Sequence, residues 1–593
     1  MLATELNSQN ALQQISAKAS ELESLRSTKG NAEAGEIFFQ TGKIYIQGVE
    51  GVFQASEDGT WDWAWRGPKN DKEWAWLMNR HRFLLFLVDA GKAGNHEAYT
   101  RANDMLTDWI RTNPVPKLWS YSHSWRALEA ARRIVQSWGP LLARDDIGAW
   151  VSPDLREIWL PSLVDHAKYL RKHHHFQGNH LITEMNALLL LAHLLDDSPD
   201  AAEWKEYALM KLSKQLDTQF FSDGMHRELS NHYHRIALDG LVMAAEIAPE
   251  QIAKNPKWVA AWTAIRDMTQ PNGLGPLNND GDIEVNSKFL ERHAQWVPER
   301  RPSKSMFFKE PGPSGQFIAS KRTKSLLWWI MADFGPYGTD HQHEDRLHVS
   351  WAVNYQSILV DNGRYHYRND AWREYFRTQP AHNTIILEGA RYLQPDWGNR
   401  EISQAESKTL SGHNSDWSWA VAPKVFKTFF GIVVVYRTII VFESGEILVI
   451  DQRDSTQGGA SDTHWSFHPN CELEPTEKAS RWTLSAGKVR GEIELVYPAE
   501  ADFQIFKGQE EPFIAGWFAP DYNVKYPAFQ IRSRIGENSP VHVWRLSPKQ
   551  DRPTPDVITH MDGKISIHWP QPTEKDSILI DGIGAAPMRF EME

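Results

Sequence analysis

Arg301-Pro-Ser-Lys-Ser-Met-Phe-Phe-Lys-Glu-Pro-Gly-Pro-Ser-Gly-Gln316 separates two kinds of sequence. The stretch is rich in Pro, Gly and Ser, as a linker is. Before it, apolar residues recur at helical spacing. Glu73–Ala90 carries Trp76, Leu77, Phe83, Leu84 and Leu87 in this way. Glu97–Ile110, Trp125–Trp138, Leu155–Leu170, His180–Leu195, Ala201–Leu216 and His234–Ile247 read the same. Short links between successive helices favour antiparallel neighbours. After it come short β-type runs: Leu326–Phe334, Leu347–Val353, Ser357–Asp361, Thr384–Glu388, Gly431–Phe442 and Glu446–Asp451. Leu347-His-Val-Ser-Trp-Ala-Val353 alternates apolar with polar residues, as a half-buried strand does. The expectation is an α-helical domain over 1–300, a linker over 301–316 and an antiparallel, sandwich-like β domain over 317–593.

Composition agrees with a globular chain. Of 593 residues, 41% are hydrophobic and 24% charged, enough to bury large cores without covalent staples. Cys471 is the single cysteine, which excludes an intramolecular disulfide and any cysteine-cluster metal site. Taken alone it would suggest a reducing compartment. The net charge of -12 argues against a general nucleic-acid binder. Met1–Gln14 (MLATELNSQNALQQ) has neither the basic start nor the apolar core of a secretory leader. Apolar runs such as Ala187–Ala192 and Ile432–Tyr436 fall far short of the ~20 residues of a membrane span.

Four polar clusters interrupt this background. Gly178-Asn179-His180 opens an apolar helix that also carries Glu184; the plain reading of Asn179 is a helix N-cap. The His173–His175 run before it reads as solvated rather than metal-binding. Arg227-Glu-Leu-Ser-Asn-His-Tyr-His234 is dense in proton-handling groups, although a hydrogen-bonded loop would look similar. Asp340-His-Gln-His-Glu-Asp345 is followed by Asp361-Asn-Gly363, and Ala381-His-Asn-Thr384 enters another strand. On an extended segment His341 and His343 share a face, so one could bind metal and the other do chemistry. His343, Asp361 and His382, drawn from three adjacent strands, could form a two-histidine, one-carboxylate set suited to zinc; a network of structural histidines is the alternative.

Taken in order, Glu73–His81 (EWAWLMNRH), Gly178–Glu184 (GNHLITE), Glu228–His234 (ELSNHYH), His341–Asp345 with Leu359-Val-Asp-Asn-Gly363, and Ala381-His-Asn-Thr384 resemble the heparinase II/III-type polysaccharide lyases, relatives of alginate lyases. The resemblance implies an incomplete (α/α) toroid followed by an antiparallel β-sandwich domain, an α+β multidomain chain. It also implies β-elimination at a uronic acid. There a site must neutralise the sugar carboxylate, take the C5 proton and protonate the leaving O4.

Carried over by resemblance, Asn179 neutralises the carboxylate with help from His180. Tyr233 is the general acid, and also the base for one C5 epimer. His341 is the opposing base or a second neutralising donor. Arg80, Trp125, Arg126, Glu184, His232 and Arg377 are candidate substrate-binding residues. His343, Asp361 and His382 would hold one divalent ion in a structural role, zinc first, with calcium or manganese as alternatives. Either Tyr365 or Tyr367 would serve as a second tyrosine. Trp61, Trp63, Trp65, Trp74, Trp76 and Trp125 are mostly expected in the core, a minority on sugar.

The implied partner is an acidic polysaccharide, a glycosaminoglycan such as heparan sulfate first and alginate or another uronan second. No nucleic acid or membrane partner is expected, and the chain would act as a monomer or homodimer. A periplasmic or secreted address, with a leader absent from this chain, is favoured over a cytoplasmic one. Two other classes compete. A glycoside hydrolase would need two opposed carboxylic acids, for which Asp71, Asp223 and Glu228 are candidates without an evident pair. A non-catalytic sugar-binding protein would use the histidines structurally.

Overall fold

The computed structural model describes residues 8–46, 49–117, 122–300, 305–336, 341–393, 408–414, 416–455, 459–550, 553–560, 562–570 and 577–589. Among these, fifteen α-helices lie between Ser8 and Arg292, and strands dominate from Phe307 onward. The chain forms two compact units. One joins Met1–Gln219 to Ile236–Trp258; the other joins Phe220–Arg235 to Val259–Glu593.

In the first unit most expected helices appear within a few residues of their sequence limits. Examples are His96–Thr112, Pro153–Lys172, Gly178–Leu194 and Ala201–Gln219. Glu73–Ala90 is not one helix. It breaks into Lys72–Met78 and Arg82–Lys92, with His81 between them at φ 63. Tertiary hydrogen bonds cause the break. The buried Asn79 amide donates to the Trp63 and Ala75 carbonyls, both at 2.8 Å, and accepts from Trp109 Nε1 at 2.8 Å. Its own carbonyl accepts from Arg133 Nη1 at 2.6 Å. The expected helix Trp125–Trp138 likewise starts at Ala127 and turns π-helical over Ile134–Trp138. Trp138 Nε1 there donates to His81 Nδ1 at 3.1 Å. Arg133 lies 4.0 Å over the Trp109 ring, and burial holds its pKa down to about 9.

The second unit contains antiparallel sheets. Phe307–Lys309, Gln316–Arg322, Leu327–Asp333, Val349–Val353 and Gln356–Leu359 form a five-stranded sheet in that order. Part of the expected linker is therefore a strand; residues 301–304 lie outside the described residues. A nine-stranded sheet is centred on Trp417–Lys427, Ile432–Phe442, Ile447–Arg453 and Val541–Ser547. Alternation along its strands decides the layering. Ile439, Val441, Ile447 and Val449 share a core with Trp328, Ile330 and Trp351 of the five-stranded sheet. Ile440, Leu448 and Ile450 point the other way, into a core with Ile565, Ile567, Ile578 and Ile580 of a C-terminal four-stranded sheet. The large sheet is thus covered on both faces, which explains the unbroken apolar run Ile447-Leu-Val-Ile450. A two-sheet sandwich is extended by a third layer.

Candidate active site

The second unit gathers its polar residues around one loop. Asn278-Asn-Asp-Gly-Asp282 has a turn-like composition, yet Asn278, Asn279 and Asp280 are buried. The loop docks along the histidine segment. Asp280 N–H donates to the His341 carbonyl at 2.9 Å, and Asn279 Oδ1 accepts from His343 N–H at 2.7 Å. Ser230 Oγ donates to the Asp280 carbonyl at 2.5 Å, tying in the segment that leads to Tyr233.

Asp280 accepts from four donors. These are His341 Nδ1 at 3.1 Å, His343 Nε2 at 2.8 Å, and Arg373 through Nη1 at 2.5 Å and Nη2 at 2.8 Å. Burial alone would raise its pKa, but the two histidines and Arg373 hold it far below the usual carboxylate range. The ionised carboxylate can only accept. Hence His341 Nδ1 carries a proton, and in the neutral ring Nε2 keeps the lone pair. Residues 341–348 are irregular rather than a strand, so His341 and His343 meet through Asp280 and not through a shared strand face. Asp340, part of the same cluster, lies outside the described residues.

Tyr233 stands in the first turn of helix Asn231–Ile247. Its ring stacks on His341 with centroids 3.9 Å apart and planes 18° apart. Its Oη shares a hydrogen bond of 2.8 Å with Tyr367 Oη, which also accepts from Arg364 Nη1 at 2.5 Å. Arg364 is held in turn by Asp282 at 2.6 Å. Burial, then the bond to Tyr367, pushes the Tyr233 pKa well above the ordinary phenol value. Of the two candidate second tyrosines, Tyr367 is the one at this centre, 42% exposed. Tyr365 packs on Trp372 and Phe376 instead.

His343, Asp361 and His382 come together, buried, with ligand atoms within 4.8 Å of one another. They sit in connecting segments rather than on three adjacent strands, because the neighbouring strands end at Leu359 and begin at Ile385. The donor set fits a divalent ion. His343 Nδ1 and His382 Nε2 are buried without a hydrogen-bond partner, as lone pairs turned to a cation would be. Arg437 braces both flanks, donating to the Leu347 and Asn383 carbonyls at 2.7 and 2.8 Å while paired with Asp451 at 2.7 Å.

In the first unit, Asn179 is the second residue of helix Gly178–Leu194, so it is not the N-cap; its amide oxygen is buried and unpartnered. His180 Nδ1 lies 3.4 Å from His175 Nε2, and His175 Nδ1 lies 2.7 Å from Glu184 Oε1. His174 also bonds Tyr207 Oη at 2.8 Å, so the histidine run is held by partners rather than simply solvated. Burial, then the neighbouring His175, holds the His180 pKa down to about 4. Burial raises that of Glu184.

Arg80 and Arg126 share the buried carboxylate of Glu129 at 2.9 and 2.8 Å, and Arg126 lies 4.2 Å over Trp76. Trp125 is buried, with its Nε1 donating to the Asn113 carbonyl at 2.9 Å, and offers no open ring face. Trp61, Trp63 and Trp74 are buried as well. Within the second unit, His232 pairs with Glu284 at 2.8 Å, and Arg377 is half-buried. Two of the three hydrolase candidates have structural partners: Asp71 caps helix Lys72–Met78, and Asp223 accepts from Ser314 Oγ at 2.6 Å.

Sequence reasoning missed Asp280, Asp282, Arg364 and Arg373. The one available signal was the polar run Asn278–Asp282, which reads as an ordinary exposed turn until its burial is seen.

Comparison with known proteins divides the chain at the Pro- and Gly-rich stretch. The family profile described as Heparinase II/III N-terminus matches residues 3–298, and that described as Heparinase II/III-like, C-terminal, matches residues 312–569. A heparin-sulfate lyase of Pedobacter heparinus is 22% identical over 449 residues, 70% of this chain and 65% of that protein. One of Bacteroides thetaiotaomicron is 26% identical over 369 residues, 58% of this chain and 50% of that protein. The chain thus spans between half and two thirds of these relatives' length. Among solved structures, a mutant heparan sulfate lyase of Pedobacter heparinus superposes with TM-score 0.73 at 15% identity, covering 99% of this chain and 94% of that one. A heparinase III superposes with TM-score 0.72 at 15% identity, covering 96% and 91%. These structures share its fold, and the two profiles together span most of its length: the chain belongs to the heparinase II/III family.

Proposed function

We propose that this protein is a polysaccharide lyase acting on a glycosaminoglycan of the heparan sulfate type by β-elimination. The observation that carries the reading is the Tyr233–Tyr367–Arg364 chain with His341 stacked on Tyr233. The heparin-sulfate lyase relatives support the substrate class. In this reading Asn179 and His180 neutralise the uronate carboxylate, and a pKa near 4 keeps His180 a neutral donor. His341 Nε2 takes the C5 proton. The C4–O4 bond breaks as the C4=C5 double bond forms, and Tyr233 Oη gives its proton to O4. A phenol held protonated by its surroundings suits the acid role better than the base role. Because Tyr233 and His341 stand side by side, they act on one face of the sugar. That suits glucuronate, whose C5 proton and O4 lie on the same face.

His343, Asp361 and His382 would hold one structural divalent ion, zinc first; when bound it supplies a fixed positive charge. The helical residues 1–300 are taken as an incomplete (α/α) toroid and 317–593 as the β domain. An extracytoplasmic address matches the substrate, and no helix among the described residues is long and apolar enough to cross a membrane.

The test is the ultraviolet absorbance of the conjugated double bond during incubation with heparan sulfate, hyaluronan, chondroitin sulfate and alginate. Absorbance should rise with a glucuronate-rich glycosaminoglycan. New reducing ends without it would mean hydrolysis and end the lyase reading. Tyr233→Phe should lose at least ~100-fold in kcat, the low end for general acid–base catalysis, with its thermal melt unchanged; near-normal turnover would remove Tyr233 from its role.

A further inference from the structure

Asp280 is buried, takes no part in the elimination as described, and touches both halves of the centre. One carboxylate oxygen accepts from His343 Nε2 and the other from His341 Nδ1. Each contact selects a tautomer, because in a neutral imidazole a ring nitrogen that donates to a carboxylate leaves the other nitrogen as the acceptor. For His341 the freed lone pair is on Nε2. For His343 it is on Nδ1, the buried and unpartnered atom beside Asp361 and His382. Arg373 grips the same carboxylate with both terminal nitrogens at 2.5 and 2.8 Å, and its helix Ala371–Arg377 is capped by Asp370. The bidentate fork fixes the carboxylate plane, and so the direction of both imidazole bonds.

We propose that Asp280 is a positioning residue that serves two histidines at once, orienting His343 to ligate a divalent ion and His341 to accept a proton. This rests on the lyase reading for His341, but its hold on His343 does not. Outer partners of metal-ligating histidines are worth about 10–100-fold in metal affinity, so the two roles can be read separately.

Asp280→Asn keeps the shape but replaces one acceptor oxygen by a donor. Zinc affinity of the full-length protein, measured by competition with a chromophoric chelator, should fall at least ~10-fold. A variant that melts like the parent and binds zinc as tightly overturns the proposal. Should Asp280→Asn fail to fold, the parent protein still decides. With 15N-labelled histidine in alkaline buffer, the His341 signals, identified by their loss in His341→Gln, should show a protonated Nδ1 and an unprotonated Nε2; any other pattern overturns the proposal. Activity is kept apart from both measurements. If the parent makes no unsaturated product while zinc affinity still drops in Asp280→Asn, the lyase reading fails and the orientation of His343 stands. If Tyr233→Phe is inactive but zinc affinity is unchanged in Asp280→Asn, the lyase reading stands and the Asp280 proposal fails.

Discussion

Tyr233, Tyr367 and Arg364 form a chain in which the Tyr367 hydroxyl stands between the Tyr233 hydroxyl and the Arg364 guanidinium. Removing the middle hydroxyl isolates Tyr233 from the guanidinium without touching its ring stack on His341. Tyr367→Phe should therefore reduce kcat, but by less than the ~100-fold or more expected of Tyr233→Phe, because the acid remains but loses its orienting partner. Steady-state kinetics with the melt as a control check this, and a loss as large as that of Tyr233→Phe would make Tyr367 the acid instead. At this scale the sequence was legible where residue types cluster. The clustering of His341, His343, Asp361 and His382 brought into consideration residues that the structure draws together. It could not separate Tyr365 from Tyr367, because that choice is set by the positive φ of Tyr365 and its packing on Trp372. Nor could it find Asp280, whose importance comes from burial of a turn that composition alone would leave in water.

At the scale of elements, the apolar period located the helices and strands but not their interruptions. The break at Asn79–His81 is made by Trp63, Trp109 and Arg133, 16 to 54 residues away in sequence. A local window cannot contain such partners. The segment between the strands ending at Leu359 and beginning at Ile385 holds Asp361, Arg364, Tyr367, Arg373 and His382, and Gly363 is its pivot. Its φ is +78, and a Cβ there would lie 2.2 Å from the Ala519 carbonyl oxygen. Gly363→Ala should thus cost about 1–3 kcal/mol of stability from backbone strain, and shift its neighbours Asp361 and Arg364. Denaturant melts together with zinc titration measure both effects. Full stability with unaltered zinc affinity would show that the segment relaxes around the methyl group.

For the whole molecule, buried histidines set the response to acid. Burial holds His226 down to about 3, and His234, His464 and His542 down to about 4. In the unfolded chain each would titrate near the ordinary value of about 6.5. The folded state therefore binds fewer protons between these values. Their contribution is complete above about pH 6.5 and is lost as pH falls toward about 4. Each removes about 1.4 kcal/mol per pH unit. Melting temperature should drop steeply from pH 6.5 to 4.5; a flat profile there would mean that these histidines are protonated in the folded protein.

The covering of the nine-stranded sheet on both sides carries a different consequence. A sheet with one bare face can offer it to a long chain as a platform, but the central strands of this one are covered on both sides. On the lyase reading, the polymer is met by connectors near the strand ends, where His341, Tyr367 and Arg364 lie. The framework and the reading surface are thereby uncoupled. Insertions and exchanges in the connectors can retune which polymer is accepted while the three stacked layers stay unchanged, so such a scaffold can diversify in specificity with little risk to its folding.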